Sequence, residues 1–305
     1  MTASFSHLLS NFFVGLCKDA YSLRPYSTHF KDTLKYKVFR FEPSFSLSAG
    51  DVVNPELVLT SSERENTLVL EWTIARELNS HKEDQLERYA AVKREDLTDV
   101  LAVPVNEART HDITVILKED SAVQEYKRYL GEQGWLFPLL KWDAEDSRYA
   151  LYIAEHRFQD SETNAFFSGG IHLEKPPPLN YLPFSLEDIE HHTIVDPVVQ
   201  HLVSLMVKST AEVTIEEFCS GFVRAWRYID TAKQQLIRQK TRQVLMELAG
   251  EQNGRLILRR IGDNPATWLL DPEGQFQNRM RSLQNYLTRF ISRKRGESYQ
   301  EPLFE

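Results

Sequence analysis

The chain has 305 residues, of which 42% are hydrophobic and 26% are charged, so it can bury a core and is long enough for about two domains. Its two cysteines, Cys17 and Cys219, lie far apart and predict neither a disulfide framework nor a cysteine-based zinc site, which suits a cytoplasmic protein. No uninterrupted apolar run is long enough to cross a membrane, and no basic residue precedes the mildly apolar N-terminal stretch as in a secretory signal. We therefore expect no membrane partner.

Charge is distributed unevenly along the chain. Residues 220–295 hold 15 Lys and Arg against six Asp and Glu, which gives a net charge of +9. The whole chain has a net charge of −8 and residues 296–305 add three glutamates, so residues 1–219 carry −14. This asymmetry predicts two functional units, one of which is suited to bind a polyanion.

The first half of the sequence alternates strand and helix patterns. Apolar residues at helical spacing predict a first helix over residues 3–17. Strands are predicted over residues 36–41, 55–59, 67–73, 99–105, 112–117, 135–142 and 148–154, and helices over residues 81–96 and 119–130. A polar turn joins the second and third strands into a hairpin. This order predicts an α/β domain over residues 1–175, with a mixed sheet flanked by helices.

Three consecutive prolines at 176–178 can continue neither a helix nor a central strand, so we predict a linker over residues 176–196. Residues 197–305 form the second predicted domain, of α+β type. Its predicted elements are a helix over 197–207, a helix capped by Thr214 with Glu217 three residues later, a long helix ending near Ala249, strands over 255–260 and 267–270, and a last helix over 275–292.

Acidic residues and a Gln-x-x-x-Tyr pattern follow one another in the first predicted domain. Glu56 opens one strand, Glu71 lies on the next, and Gln85 and Tyr89 lie on the following helix. This segment resembles the PD-(D/E)xK family of nucleases, especially its RecB-like branch. The resemblance implies a restriction-endonuclease-like fold in which the two glutamates bind Mg²⁺ or Mn²⁺ and the metal activates a water for phosphodiester hydrolysis.

The sequence departs from the family pattern at one critical position. The pattern requires a lysine two residues after Glu71, where this chain has Thr73, and threonine can neither carry a positive charge nor act as a base near neutral pH. We predict that Lys82, at the start of the next helix, supplies the amine from a displaced position. The predicted catalytic residues are therefore Glu56, Glu71, Lys82, Gln85 and Tyr89. A domain that has lost its chemistry and still binds DNA is the alternative.

The order of helices and hairpin after residue 197 resembles a winged helix. In that fold the third helix enters the major groove and the hairpin contacts the DNA backbone or the minor groove. The basic residues of these two elements are the predicted DNA contacts, namely Lys233, Arg238, Lys240, Arg242, Arg255, Arg259 and Arg260. A winged helix that binds protein and merely exposes a basic face to solvent is the alternative.

Together these patterns predict a DNA-binding protein that acts as a metal-dependent DNA endonuclease or as a nuclease subunit. Its expected partners are DNA and either other protein subunits or a second copy of the chain. Prokaryotic defence against phage or plasmid DNA is the favoured role among those of such nucleases. A catalytically inactive adaptor and a winged-helix regulator remain the competing hypotheses.

Overall fold

A computed structural model describes residues 4–48, 50–145, 148–263 and 266–296. The chain divides into two compact units, the first formed by Met1–Leu179 and Tyr228–Asp230 and the second by Asn180–Arg227 and Thr231–Glu305. The helices of the first unit are α1 (Phe5–Cys17), α2 (Tyr26–Thr28), α3 (Ser80–Ala90), α4 (Asp120–Gln133) and α5 (Ser161–Ser168). Its strands are β1 (Lys37–Phe41), β2 (Phe45–Ser46), β3 (Val52–Val53), β4 (Leu57–Ser61), β5 (Asn66–Thr73), β6 (Thr110–Leu117), β7 (Leu139–Glu145), β8 (Arg148–Glu155) and β9 (Ile171–Leu173).

Seven strands of the first unit form one mixed sheet in the order β1-β4-β5-β6-β7-β8-β9. Strands β5, β6 and β7 run parallel, whereas β1, β4 and β5 form an antiparallel meander and β7, β8 and β9 form another. Every residue of β5 is buried, as expected of a central strand covered on both faces. The predicted α/β class, with a mixed sheet flanked by helices, is confirmed.

Helices cover β5 on both sides and thereby fix where its side chains point. The ring of Trp72 stacks against Phe13 of α1, with 6.5 Å between the ring centroids. Successive strand residues point to opposite faces, so Glu71 points away from α1. On that opposite face, Leu86 of α3 and Tyr126 of α4 pack in one apolar cluster. The cluster lines the face that carries Glu71.

The strand predicted over residues 99–105 is wrong. A π-helical turn spans Asp96–Val100, and no strand follows it before β6 among the described residues. Leu97 and Leu101 are four residues apart and both buried, so one face of a helical turn is enough to bury them. Pro104 also lacks the backbone N–H that a central strand requires.

Several helices and strands begin or end at residues other than those predicted. The helix predicted over residues 81–96 ends at Ala90, and the strand predicted over 135–142 begins at Leu139, directly after Pro138. The first helix begins at Phe5, and residue 3, where we predicted its start, lies outside the described residues. Helix α5 and strand β9 were not predicted.

The second unit contains the helices α6 (His191–Val207), α7 (Ile215–Phe222), α8 (Thr231–Gly250) and α9 (Phe276–Arg295). Its strands β10 (Glu212–Thr214), β11 (Leu258–Asp263) and β12 (Ala266–Leu270) form a sheet in the order β10-β12-β11. The capping box predicted for Thr214 is confirmed, because its hydroxyl accepts from the backbone N–H of Glu217 at 3.2 Å. Helix α9 packs against α6, with Leu287 and Phe290 buried.

Three features of the second unit differ from the sequence prediction. Helix α6 begins at His191, six residues earlier than expected, because Glu190 and Thr193 form a capping box and Pro197 is accommodated inside the helix. The first hairpin strand begins at Leu258, after a 3₁₀ turn over Gly254–Leu256. Four residues of the predicted linker are buried, namely Leu182, Phe184, Leu186 and Ile189.

No helix among the described residues is long and apolar enough to cross a membrane.

Candidate functional site

Strand β5 and helix α3 present the candidate site of the first unit. Glu71 lies near the end of β5, and α3 begins seven residues after that strand. The Asn79 side chain caps α3 by accepting from the backbone N–H of Lys82 at 3.0 Å. Lys82, Gln85 and Tyr89 are separated by three and four residues, so they share one face of α3. That face is turned toward Glu71.

Both carboxylate oxygens of Glu71 are engaged by side chains from α3. The Tyr89 hydroxyl donates to Oε2 at 2.7 Å, and the Lys82 ammonium donates to Oε1 at 3.1 Å. Glu71 is only 4% exposed, whereas the side chain of Lys82 is 23% exposed. A buried carboxylate therefore has its positive partner at the edge of the solvent.

Gln85 closes these contacts into a ring. Its Oε1 accepts from the Lys82 ammonium at 2.8 Å, and its Nε2 donates to the Tyr89 hydroxyl oxygen at 3.3 Å. The ring of Glu71, Lys82, Gln85 and Tyr89 thus gives each donor an acceptor. Such a closed network fixes the rotamer of every member and holds the carboxylate in one orientation.

Burial governs the protonation of this network. Desolvation raises the pKa of Glu71 above its ordinary range, although the charge of Lys82 and the hydrogen bond from Tyr89 oppose the shift. Desolvation and the charge of Glu71 also raise the pKa of Tyr89 well above its ordinary value, so Tyr89 stays a hydrogen-bond donor. Tyr126 of α4 has its pKa raised by burial and by the nearby Glu71.

Glu56 lies next to this network. Its backbone N–H donates to the carbonyl of Leu70 at 3.0 Å, which places it beside the part of β5 that carries Glu71. Its negative charge contributes to the raised pKa of Tyr89. Its own carbonyl accepts from the N–H of Glu42 at 2.9 Å. The structure therefore brings together all five residues predicted for the site: Glu56, Glu71, Lys82, Gln85 and Tyr89.

Thr73 has a local role at the position where the family pattern requires lysine. It is buried, and its hydroxyl accepts from the backbone N–H of Ala75 at 3.1 Å, which fixes the turn after β5. The only ammonium group hydrogen-bonded to Glu71 within the described parts of the chain comes from Lys82. The ammonium that contacts Glu71 thus comes from the helix and not from the strand.

The donor set at this site suits Mg²⁺ or Mn²⁺, which prefer carboxylate oxygens. Mg²⁺ commonly binds one or two carboxylates and completes its shell with water and substrate phosphates. Glu71 and Glu56 would hold such an ion. Across the described residues, no group of three or more His, Cys, Asp or Glu side chains is close enough to form a metal cage.

Two residues of α4 that sequence analysis missed position the segment between β5 and α3. The Glu125 carboxylate accepts from the backbone N–H of Leu78 at 2.6 Å, and the Ser121 hydroxyl donates to the carbonyl of Arg76 at 3.1 Å. Both contacts join residues more than 40 positions apart, so no local pattern could have indicated them.

The basic residues in the first half of α8 are held by contacts within the second unit. Arg238 donates to the Glu216 carboxylate at 2.6 Å and lies over the Trp226 ring. The Lys240 ammonium lies 3.6 Å from a carboxylate oxygen of Glu190. Lys233 is half-buried, its ammonium donates to a backbone carbonyl at 3.4 Å, and desolvation lowers its pKa to about 8.

The remaining predicted DNA contacts lie farther along the same unit. Arg242, Arg255 and Arg259 are exposed, and none of their side chains makes a hydrogen bond or an ion pair with another described residue. Arg260 is half-buried, and its guanidinium lies 2.6 Å from the carboxylate of Asp263, which is 88% exposed. The structure therefore separates the seven predicted contacts into an engaged group and an available group.

Comparisons with known proteins add one finding about the first unit. Neither the curated proteins nor the solved structures include a match to this chain. A family model, the MJECL32 domain, matches residues 6–182, which is more than half of the sequence and includes every residue of the Glu71 network. The chain belongs to the MJECL32 domain family.

Proposed function

We propose that this chain is a metal-dependent DNA nuclease, with its phosphodiester hydrolysis site at Glu71 and its main DNA-binding surface in the second unit. The observation that carries the proposal is the position of Lys82, whose ammonium lies 3.1 Å from the Glu71 carboxylate. The family pattern places a lysine beside the metal-binding carboxylate, and this chain has Thr73 at that position of the strand. A helix residue supplies it instead.

The surrounding topology supports a restriction-endonuclease-like fold for the first unit. The antiparallel hairpin of β4 and β5 places Glu56 next to the end of β5. Helix α3 follows the hairpin and carries Gln85 and Tyr89 toward Glu71, and β6 then pairs parallel to β5. This is the order of hairpin, acidic strand and glutamine–tyrosine helix that the resemblance implies.

The proposed reaction is hydrolysis of a phosphodiester. A water oxygen bonds to phosphorus, the P–O bond to the leaving sugar oxygen breaks, and one hydrogen of the water ends on that leaving oxygen. When bound, Mg²⁺ or Mn²⁺ would supply an activated water and neutralise charge on the phosphate. Lys82 would orient the attacking water or a phosphate oxygen through its ammonium, and Tyr89 and Gln85 would keep the Glu71 carboxylate in place.

The element order of the second unit supports a winged-helix assignment and hence DNA binding. Helices α6, α7 and α8 precede the hairpin of β11 and β12, and β10 pairs with β12. The net charge of +9 over residues 220–295 favours a polyanionic partner.

One observation favours a second candidate, a DNA-binding adaptor or regulator without catalysis. Both oxygens of Glu71 already accept hydrogen bonds from Lys82 and Tyr89. Metal binding would require at least one of these bonds to lengthen. If the network does not open, the first unit would keep its fold and lose its chemistry.

Cleavage of supercoiled plasmid by the full chain in Mg²⁺ or Mn²⁺ tests the proposal. We expect Glu71→Gln and Lys82→Ala each to lower the cleavage rate by about 100-fold or more, as is usual when a group that acts on the reacting atoms is removed. Asp84→Asn is the matched control, because Asp84 is an exposed acid on α3 whose side chain lies outside the network. Unchanged cleavage by Glu71→Gln would refute the proposal, and DNA binding without cleavage in either metal would support the adaptor.

A further inference from the structure

A cavity of about 390 Å³ in the second unit is lined by three arginines. Arg255 precedes β11, and Arg259 and Arg260 lie on it. Ala249, near the end of α8, and Glu273 also line the cavity. Three positive side chains against one negative side chain give the cavity an excess of positive charge, and its volume is large enough for a phosphate group.

Arg255 and Arg259 can accept a new partner at little cost, whereas the guanidinium of Arg260 already contacts Asp263 and donates to the carbonyl of Gly262 at 3.3 Å. The side chains of Arg255 and Arg259 make no hydrogen bond or ion pair with another described residue. The pair of Arg260 with Asp263 is weak, because Asp263 is 88% exposed to water. Glu273 accepts a hydrogen bond from the side chain of Gln275 at 3.1 Å.

The first half of α8 is less available, although a winged-helix resemblance assigns DNA reading to this helix. Arg238 would have to leave Glu216 and the face of Trp226. Lys233 would have to leave a partly buried position that already lowers its pKa. These rearrangements would oppose binding, whereas the exposed arginines of the cavity require none.

The chemistry of the cavity favours phosphate over bases. A guanidinium presents a planar pair of N–H donors that matches two oxygens of a phosphate. No Asn or Gln, the side chains that pair with adenine edges, belongs to the described lining of the cavity. The lining therefore suits repeated phosphates and provides little means to read a sequence.

From these observations we infer that the second unit holds duplex DNA through the phosphodiester backbone at the cavity of Arg255, Arg259 and Arg260. The first half of α8 does not contribute base contacts, and binding is largely independent of DNA sequence. This inference rests on the proposed DNA binding and specifies the surface that performs it.

The test measures binding of the full chain to two duplexes of about 20 base pairs with unrelated sequences, by fluorescence anisotropy in EDTA between 50 and 200 mM KCl. Each phosphate contact contributes about 0.9 to the slope of log K against log salt, so Arg255→Gln/Arg259→Gln should lower the slope by about 1.8. Over this salt range, affinity for the double variant should fall about 12-fold less than affinity for the wild type. Both duplexes should bind equally well.

Two matched variants serve as controls. Arg279→Gln/Arg281→Gln removes the same charge from exposed positions of α9, and Arg238→Gln/Lys240→Gln removes it from α8. Both should keep the wild-type slope. The inference is overturned if the cavity variant keeps that slope, if either control lowers it equally, or if one duplex binds far more tightly than the other. If the wild-type chain binds DNA but does not cleave plasmid in Mg²⁺ or Mn²⁺, the nuclease proposal alone is refuted. If the wild-type chain binds no DNA, both proposals are refuted.

Discussion

Replacement of Lys82 by methionine is expected to destabilise the first unit in a pH-dependent manner. Methionine keeps an unbranched side chain of similar length and removes the ammonium group. The variant loses the 3.1 Å hydrogen bond to Glu71 and the 2.8 Å hydrogen bond to Gln85. A hydrogen bond to a charged group contributes about 1.5–3 kcal/mol and an ordinary one about 1 kcal/mol. Because Lys82 is 23% exposed and water can replace part of its contacts, we expect a loss of about 3 kcal/mol at pH 8.

The dependence on pH follows from the buried carboxyl. Burial raises the pKa of Glu71 in the folded protein above its value in the unfolded chain, so the folded state binds the proton more tightly. Stability from this group is therefore full below the unfolded pKa and is lost as pH rises through the folded pKa. Without the positive charge of Lys82 the folded pKa rises further. The two proteins should thus differ little at pH 4 and most at pH 8.

Urea unfolding followed by tryptophan fluorescence at several values between pH 4 and pH 8 measures this difference. Lys118→Met is the control, because Lys118 is exposed and should change stability by less than about 0.5 kcal/mol at any pH. A loss in Lys82→Met that is below about 1 kcal/mol at pH 8, or one that does not change with pH, would show that the ammonium does not compensate the Glu71 charge.

Two further predictions concern the second unit. Thr214→Ala should lower its stability by about 1 kcal/mol, because the hydroxyl that caps α7 is lost, whereas Thr214→Ser should change little; midpoints of urea unfolding compare the two. Lys233→Met should raise stability at pH 7 by about 1 kcal/mol after allowance for the water that reaches this side chain. Burial lowers the Lys233 pKa to about 8, so its contribution to stability is full above the unfolded pKa and is lost as pH falls through about 8. Thermal unfolding at pH 7 and pH 10 tests this, since the gain should disappear at pH 10.

The residues of the candidate site were predictable because their relations are local. Gln85 and Tyr89 are four residues apart on a helix, and Lys82 is three residues before Gln85, so helical geometry alone places them on one face. Glu71 needed one further inference, that the helix folds back over the strand before it. The resemblance to the PD-(D/E)xK family supplied that inference, because β5 is buried at every residue and has no periodicity that could orient Glu71.

The parts that could not be predicted depend on contacts between distant residues. The carboxylate of Glu125 holds the segment before α3 from a position 47 residues away. Glu216 forms an ion pair with Arg238 from 22 residues away, and a count of the charges along α8 cannot detect such a pair. Residues 99–105 have the apolar composition of a buried strand, but composition does not record backbone geometry, and the described residues there form the end of the turn over Asp96–Val100 and a segment without a strand.

The charge distribution favours the proposed separation of hydrolysis and DNA affinity between different parts of this protein. Residues 1–179, which form nearly all of the first unit, hold 20 Lys and Arg against 28 Asp and Glu, a net charge of −8, and a surface of that sign repels DNA over about a Debye length. A hydrolytic site at Glu71 could therefore not gather its substrate by electrostatic attraction from its own unit. The excess of +9 in residues 220–295 offers that attraction, and its available arginines are those that can bind phosphate without leaving another partner. If DNA is attracted by the second unit, Lys82 is free to pair with the buried carboxylate of Glu71, because it is not needed for the general attraction of DNA.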